Sequence, residues 1–86
     1  MSKKITFEYR DKTTNEYLGE CIMNPQNIKF ESSAGLSIHN AAHAVIDISN
    51  TYKLPVRLIF NDRKIDVHYN KMNVQNIIDS YFAQTR

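Results

Sequence analysis

The sequence has little glycine, proline or cysteine, and each shortage excludes a class of protein. Two glycines and two prolines in 86 residues are too few for a collagen-like, linker-like or low-complexity chain. A single cysteine, Cys21, forms neither an internal disulfide nor a cysteine-based zinc site, which favours a reducing compartment. No apolar run approaches the roughly 18 residues that a membrane span needs, and residues 5–10 alternate in polarity where a signal peptide would be apolar. We therefore expect a cytoplasmic protein.

The sequence also lacks a large excess of charge of either sign. Eleven Lys and Arg against nine Asp and Glu leave a formal charge of +2, which predicts only modest nonspecific affinity for nucleic acid or anionic lipid. The hydrophobic fraction of 42% and the charged fraction of 23% are typical of a folded chain rather than a disordered one. A chain of this length has room for one domain, so residues 1–86 are interpreted as a single compact domain.

The amino-acid composition gives a softer indication of origin. Residues with AT-rich codons (Ile, Asn, Lys, Tyr, Phe and Met) number 38, against 13 for Ala, Arg, Gly and Pro together. This bias is common in small phage or mobile-element genes and in low-GC bacteria. It is an association with a source, and it carries no chemistry.

The polarity pattern predicts seven elements. Strand-like alternation covers residues 5–10, 17–23 and 28–30, and a hairpin with an Asn61-Asp62 turn follows near residues 56–69. Two amphipathic helices are predicted at 38–53 and 74–84, with Ser37 and Asn73 as N-caps. In the hairpin we favour pairing Phe60 with Arg63; a turn one residue later would keep the same faces inward.

This order, β-β-(β)-α-β-β-α, predicts an α+β fold. We expect an antiparallel sheet of four to five strands with both helices on one face. Each strand has a single apolar face, so helices are needed on that face of the sheet only. The opposite face would then be open to solvent. It would carry Thr6, Glu8, Arg10, Arg57, Ile59, Lys64, Asp66 and His68.

The first helix carries the pattern closest to a metal site. His39, His43 and Asp47 follow one another at intervals of four residues, a spacing at which two imidazoles and a carboxylate can converge on a divalent ion. The glutamate of the His-Glu-x-x-His motif is missing. We therefore interpret these residues as a polar helix face available for binding, with no metal and no cofactor.

The hairpin carries a possible phosphate-binding patch. Arg57, Arg63, Lys64 and Lys71 lie in or beside it, so a nucleic-acid or small anionic-ligand function, in one chain or across an oligomer interface, is the alternative hypothesis. Base-stacking sheets need aromatic side chains on their open face. Here Phe7, Tyr9, Phe60 and Tyr69 are predicted on the helix-covered face, which disfavours that alternative.

No pattern predicts an enzyme. Cys21 lies beside Glu20, which disfavours a reactive thiolate, and the two isolated glycines form no phosphate-binding loop. Glu8, Asp66 and His68 could meet on the open face, but charges on an exposed sheet face usually keep it soluble.

These observations favour a small non-enzymatic binding or regulatory module that acts on another protein, either a host protein or a second copy of itself. A phage-encoded or mobile-element inhibitor of the anti-defence type fits this description. The expected surface is a sheet edge or the outer face of the first helix. The candidate binding residues are His39, His43, Asp47, Arg57, Arg63, Lys64 and Asp66.

Overall fold

The computed structural model describes residues 5–24, 27–68 and 71–84. Over these residues the chain forms five strands and two helices in the predicted order. They are β1 (Ile5–Arg10), β2 (Tyr17–Met23), β3 (Ile28–Ser32), α1 (Ile38–Tyr52), β4 (Val56–Phe60), β5 (Arg63–Val67) and α2 (Val74–Gln84).

The five strands form one sheet in the order β1-β2-β3-β4-β5. Neighbouring strands are antiparallel except β3 and β4, which are parallel. The parallel pair follows from α1, because a helical crossover returns the chain to the end of the sheet where the preceding strand began. The α+β class and the element order are confirmed, and the sheet is mixed rather than wholly antiparallel.

The hairpin between β4 and β5 has the predicted register. Phe60 pairs with Arg63, and Arg57 pairs with Asp66. The two turn residues, Asn61 and Asp62, have φ values of 48° and 65°, as two-residue turns matched to the twist of the strands require. Asn and Asp tolerate this conformation better than most residues, which explains a tight turn without glycine.

Local capping sets the helix ends. The Ser37 side chain accepts a hydrogen bond from the backbone N–H of Asn40, and Asn73 does the same for Asn76, so both predicted N-caps are confirmed. Helix α1 ends one residue before the predicted boundary. Lys53 has a φ of 56° and donates its N–H to the carbonyl of Ser49, which closes the last turn in the left-handed conformation.

Both helices cover the same face of the sheet. Helix α1 packs on β4 and β5, and α2 packs on β5 and on α1. Alternate residues of the strands point into this layer, as the period of two predicts. Tyr69, which the sequence places in the core, lies outside the described residues. The buried apolar core comprises Cys21, Ile28, Phe30, Ala41, Ala42, Ala44, Val45, Ile48, Val56, Leu58, Phe60, Ile65, Val67 and Ile77.

The core ends before it reaches the outer edge of β1. Ile5 is 60% exposed and Tyr52 is 41% exposed, although both belong to the apolar faces predicted from the sequence. Phe7 contacts Tyr52 with the ring centroids 6.2 Å apart. These residues form a rim because β1 is an edge strand and α1 ends beside it.

Candidate functional site

Two of the predicted binding residues meet on the outer face of α1. His39 and His43 are both exposed, and their Nε2 atoms lie 3.1 Å apart. The spacing of four residues puts the two rings one above the other on the helix surface. The structure therefore brings these two imidazoles together as the sequence predicts.

Asp47 does not join them. Its carboxylate accepts a hydrogen bond from the Tyr9 hydroxyl of β1 at 2.5 Å and pairs with Lys12 at 3.4 Å. Burial raises the pKa of Tyr9 above its usual value, and the hydrogen bond and charge of Asp47 raise it further. Asp47 is thus a half-buried link between α1 and the edge strand. The polarity pattern places Tyr9 in the apolar face of β1 and does not reveal which side chain lies opposite its hydroxyl, so this role is not predictable from the sequence.

A shallow cleft lies beside this link. It encloses about 320 Å³ between α1 and the loop that joins β1 to β2. Its walls include Lys12, Glu16, Leu18 and His43. Three carboxylates (Asp11, Glu16 and Asp47) and one lysine (Lys12) line it, so its charged groups are mainly acidic.

Arg57 and Asp66 lie side by side on the open face of the sheet. The guanidinium of Arg57 contacts both carboxylate oxygens of Asp66, at 2.8 and 3.5 Å. The hydrogen bond from Arg57 lowers the pKa of Asp66 and is the largest cause of that shift. Because the two charges neutralise each other, neither is free to attract a distant partner.

The remaining predicted cations do not form one patch. Lys64 lies on the open face opposite Ile59, whereas Arg63 pairs with Phe60 and shares the opposite face of the hairpin. Successive residues of a strand point to opposite sides of the sheet. Lys71 follows the hairpin, beyond residues 69–70. The basic hairpin surface that the sequence suggests is therefore divided between two faces.

A row of three carboxylates crosses the open face, and the sequence analysis did not identify it. Glu8 of β1 pairs with Glu20 of β2, and Glu20 pairs with Glu31 of β3. Residues directly opposite in neighbouring strands have Cβ atoms about 4.5–5.5 Å apart. Among the described residues, Glu8 has an ion-pair partner in Arg10 at 2.8 Å. No described Lys, Arg or His nitrogen lies within 4 Å of the other two carboxylates. We call these three residues the acidic row.

Apolar side chains flank the acidic row. Ile22 lies two residues beyond Glu20 on the same face of β2, and Ile59 of β4 pairs with Glu31. Both isoleucines are half-buried. No helix of the described residues packs on this side of the sheet, so the acidic row, the two isoleucines and Lys29, which pairs with Ile22, form one continuous uncovered surface.

Glu8 lies apart from Asp66 and His68, the two other groups that the sequence suggests for catalysis. Glu8 and Asp66 lie on β1 and β5, the two opposite edges of the sheet, so the possible meeting of Glu8, Asp66 and His68 is wrong. Burial raises the pKa of the Cys21 thiol to about 12, and a protonated thiol is a poor nucleophile. Among residues 5–24, 27–68 and 71–84, no three His, Cys, Asp or Glu side chains are placed to hold a metal ion together.

The aromatic side chains are placed largely as predicted. Phe7 and Tyr9 pack against the core, and Phe60 is buried in it. Tyr17 lies opposite Arg10 on β1, with the guanidinium carbon 5.7 Å from the centre of its ring. The Tyr17 ring therefore already contacts a cation of its own sheet, and this contact contributes to packing on the open face.

The chain matches no family model, no curated protein and no solved structure at a significant level. Within the described residues, neither helix has the length and apolar character that crossing a membrane requires.

Proposed function

We propose that this protein is a small, non-catalytic binding module that docks on another protein through the open face of its sheet. The observation that supports this most is the acidic row of Glu8, Glu20 and Glu31, which lies in register on a surface that the helices leave uncovered. The partner surface that complements it is rich in Lys and Arg. The sequence instead favours a sheet edge or the outer face of the first helix, and assigns the basic hairpin to the alternative function.

The acidic row supports binding because it does not help folding. Like charges directly opposite each other in a sheet destabilise it, whereas favourable cross-strand pairs contribute about 0.2–1 kcal/mol each. Glu20 is at the centre of the row, with a carboxylate on either side. A cationic partner would relieve this repulsion, so the unfavourable placement in the free chain becomes favourable in the complex.

The neighbouring isoleucines support a protein as the partner. Ile22 and Ile59 provide apolar area next to the charges, which is the combination typical of protein interfaces with a polar rim. A nucleic acid would bring phosphates against Glu20 and Glu31, and the cations of the hairpin are divided between two faces. The nucleic-acid alternative therefore lacks a specific observation in its favour.

The composition fits one source for such a module. An amino-acid composition rich in residues with AT-rich codons and the absence of a recognisable catalytic pattern in the sequence fit a phage or mobile-element inhibitor, which acts by occupying the surface of a host protein. In this setting the module would work stoichiometrically, and its effect would depend on how much of it is made.

A charge reversal on the open face tests the proposal. The Glu20→Lys/Glu31→Lys double variant replaces two negative charges of the acidic row by two positive ones, a change of +4 in net charge. The Glu16→Lys/Asp79→Lys variant makes the same change on the β1–β2 loop and on α2, where both residues are exposed. Wild type and both variants are used to capture proteins from a bacterial lysate at physiological salt, and bound nucleic acid is monitored by the ratio of absorbance at 260 and 280 nm.

We expect wild type and the Glu16→Lys/Asp79→Lys control to retain the same stoichiometric protein, and the double variant of the acidic row to lose it. Equal capture by all three proteins would contradict the proposal, as would capture of nucleic acid in place of a protein. Urea unfolding gives a second readout that needs no partner. Glu20→Lys should leave stability unchanged or raise it by up to about 1 kcal/mol, because it replaces a like-charge neighbour by an opposite one.

A further inference from the structure

The two imidazoles on α1 suggest a second site, independent of the proposed protein-binding face. His39 and His43 approach through their Nε2 atoms at 3.1 Å, with ring centroids 4.7 Å apart. When neither is bound to an ion, one Nε2–H donates to the lone pair of the other. The two nitrogens that would bind an ion are therefore already next to each other on the surface of the helix.

This separation matches that of two histidine ligands on one metal ion. Metal–nitrogen bonds are about 2.0–2.1 Å long, and with such bonds a nitrogen–nitrogen distance of 3.1 Å corresponds to an angle of about 100° at the metal. That angle lies between those of square-planar and tetrahedral coordination. A small rotation of either exposed ring changes the separation, so both geometries are accessible.

The helix holds the pair in place before any ion binds. His39 is in the first turn of α1, which Ser37 caps through the N–H of Asn40, and the link from Asp47 to Tyr9 anchors the next turns to β1. Folding therefore already orders most of the backbone that carries the two ligands, and metal binding has little further conformational entropy to remove. Asp47 is committed to this link, so the chain supplies two nitrogen donors and leaves the other coordination positions to water.

We propose that His39 and His43 form a two-histidine chelate for a late divalent transition metal ion. Imidazole donors favour Cu²⁺, Ni²⁺ and Zn²⁺, with Cu²⁺ the tightest of the series. Mg²⁺ and Ca²⁺ prefer oxygen ligands and are excluded. The sequence predicts no metal here, because it provides two histidine ligands but lacks the glutamate of the His-Glu-x-x-His motif. The distance between the two nitrogens is the structural observation that changes this interpretation.

The test is a calorimetric titration of the untagged full-length protein with Cu²⁺, Zn²⁺ and Mg²⁺. The diagnostic variant is His43→Asn/Asn50→His, which keeps the number of histidines and the composition but moves one imidazole to another exposed position of α1. The matched control is His68→Asn, which removes the third described histidine, located after β5. Circular dichroism checks that each variant retains its helices.

We expect wild type to bind one Cu²⁺ per chain, to bind Zn²⁺ more weakly and to leave Mg²⁺ unbound. The relocated variant should bind Cu²⁺ at least about tenfold more weakly, because it loses one of two ligands, and His68→Asn should match wild type. The proposal is overturned if wild type does not bind Cu²⁺, if the relocated variant binds equally well, or if His68→Asn loses the binding.

Discussion

Gly19→Ala is the substitution whose cost follows most directly from the structure. Gly19 lies in β2, and a Cβ atom added there would be 2.4 Å from the carbonyl oxygen of Glu31 and 2.7 Å from two ring atoms of Phe30. Cβ contacts below 3.0 Å are essentially never found in proteins. The ring is buried and packs edge-on against Tyr9, with centroids 5.7 Å apart, so it has little room to withdraw.

The first of these contacts decides the magnitude. A backbone carbonyl of β3 would have to move by about 0.6 Å or more to bring the 2.4 Å contact up to 3.0 Å, and β3 is paired on both sides. Overpacking costs about 1–3 kcal/mol when side chains can adjust. Because a strand must shift here, we expect about 3 kcal/mol. A chain of 86 residues has a total stability of about 4–13 kcal/mol, so the loss is a large part of the whole.

Urea unfolding followed by circular dichroism measures this loss. With an m-value of about 1–3 kcal/mol/M, the midpoint should fall by about 1–3 M. Gly35→Ala is the control, because Gly35 has a φ of +87° and nothing within 4 Å of an added Cβ. Its free energy of unfolding should fall only by the cost of placing alanine in the left-handed backbone conformation, about 1–2 kcal/mol. If Gly19→Ala unfolds at the wild-type midpoint, or at a higher urea concentration than Gly35→Ala, the packing described around Phe30 is wrong.

Three further predictions concern the core and its links. Tyr9→Phe removes the hydrogen bond to Asp47 and should lower the free energy of unfolding by about 1–2 kcal/mol; an unchanged urea midpoint would contradict that link. Burial raises the pKa of Cys21 from 9.0 to about 12, so the folded state keeps a proton that the unfolded chain loses. Stability should then fall above pH 9, by up to about 1.4 kcal/mol per pH unit, and equal slopes between pH 9 and 10 for wild type and Cys21→Ala would refute this. Ile77→Ala should cost about 2–5 kcal/mol, because Ile77 is fully buried, whereas Ile5→Ala should cost less than 1 kcal/mol on the same urea assay.

Most of the fold was predictable because local signals agreed with each other. The helix period, the caps at Ser37 and Asn73 and the Asn61-Asp62 turn all act over a few residues, and the structure has them where the sequence indicates. The parallel pairing of β3 and β4 was not predicted, because it requires knowing that β4 lies directly beside β3 after α1 has returned the chain to the end of the sheet where β3 began. Gly19 shows the same limit, because the close approach of Phe30 that makes glycine necessary there depends on the packing of β2 against β3.

The candidate site was harder to predict for a related reason. His39 and His43 are close in sequence, so their spacing alone brought them together. The acidic row joins three strands, and Glu8, Glu20 and Glu31 become neighbours only when the registers of β1, β2 and β3 are known. The signal available in the sequence was an outward-facing glutamate in each of three consecutive strands, which becomes informative once the strands are placed side by side.

The central claim is that the open face binds a cationic protein surface through the acidic row. The most direct measurement is the dissociation constant of the captured partner for wild type, Glu20→Lys/Glu31→Lys and the Glu16→Lys/Asp79→Lys control, determined by calorimetry at one salt concentration. We predict that the acidic-row variant binds about 100-fold more weakly than wild type, since like charges facing each other across an interface cost several kcal/mol, and that the control stays within about threefold. Equal weakening in both variants, or no weakening in either, would contradict the claim.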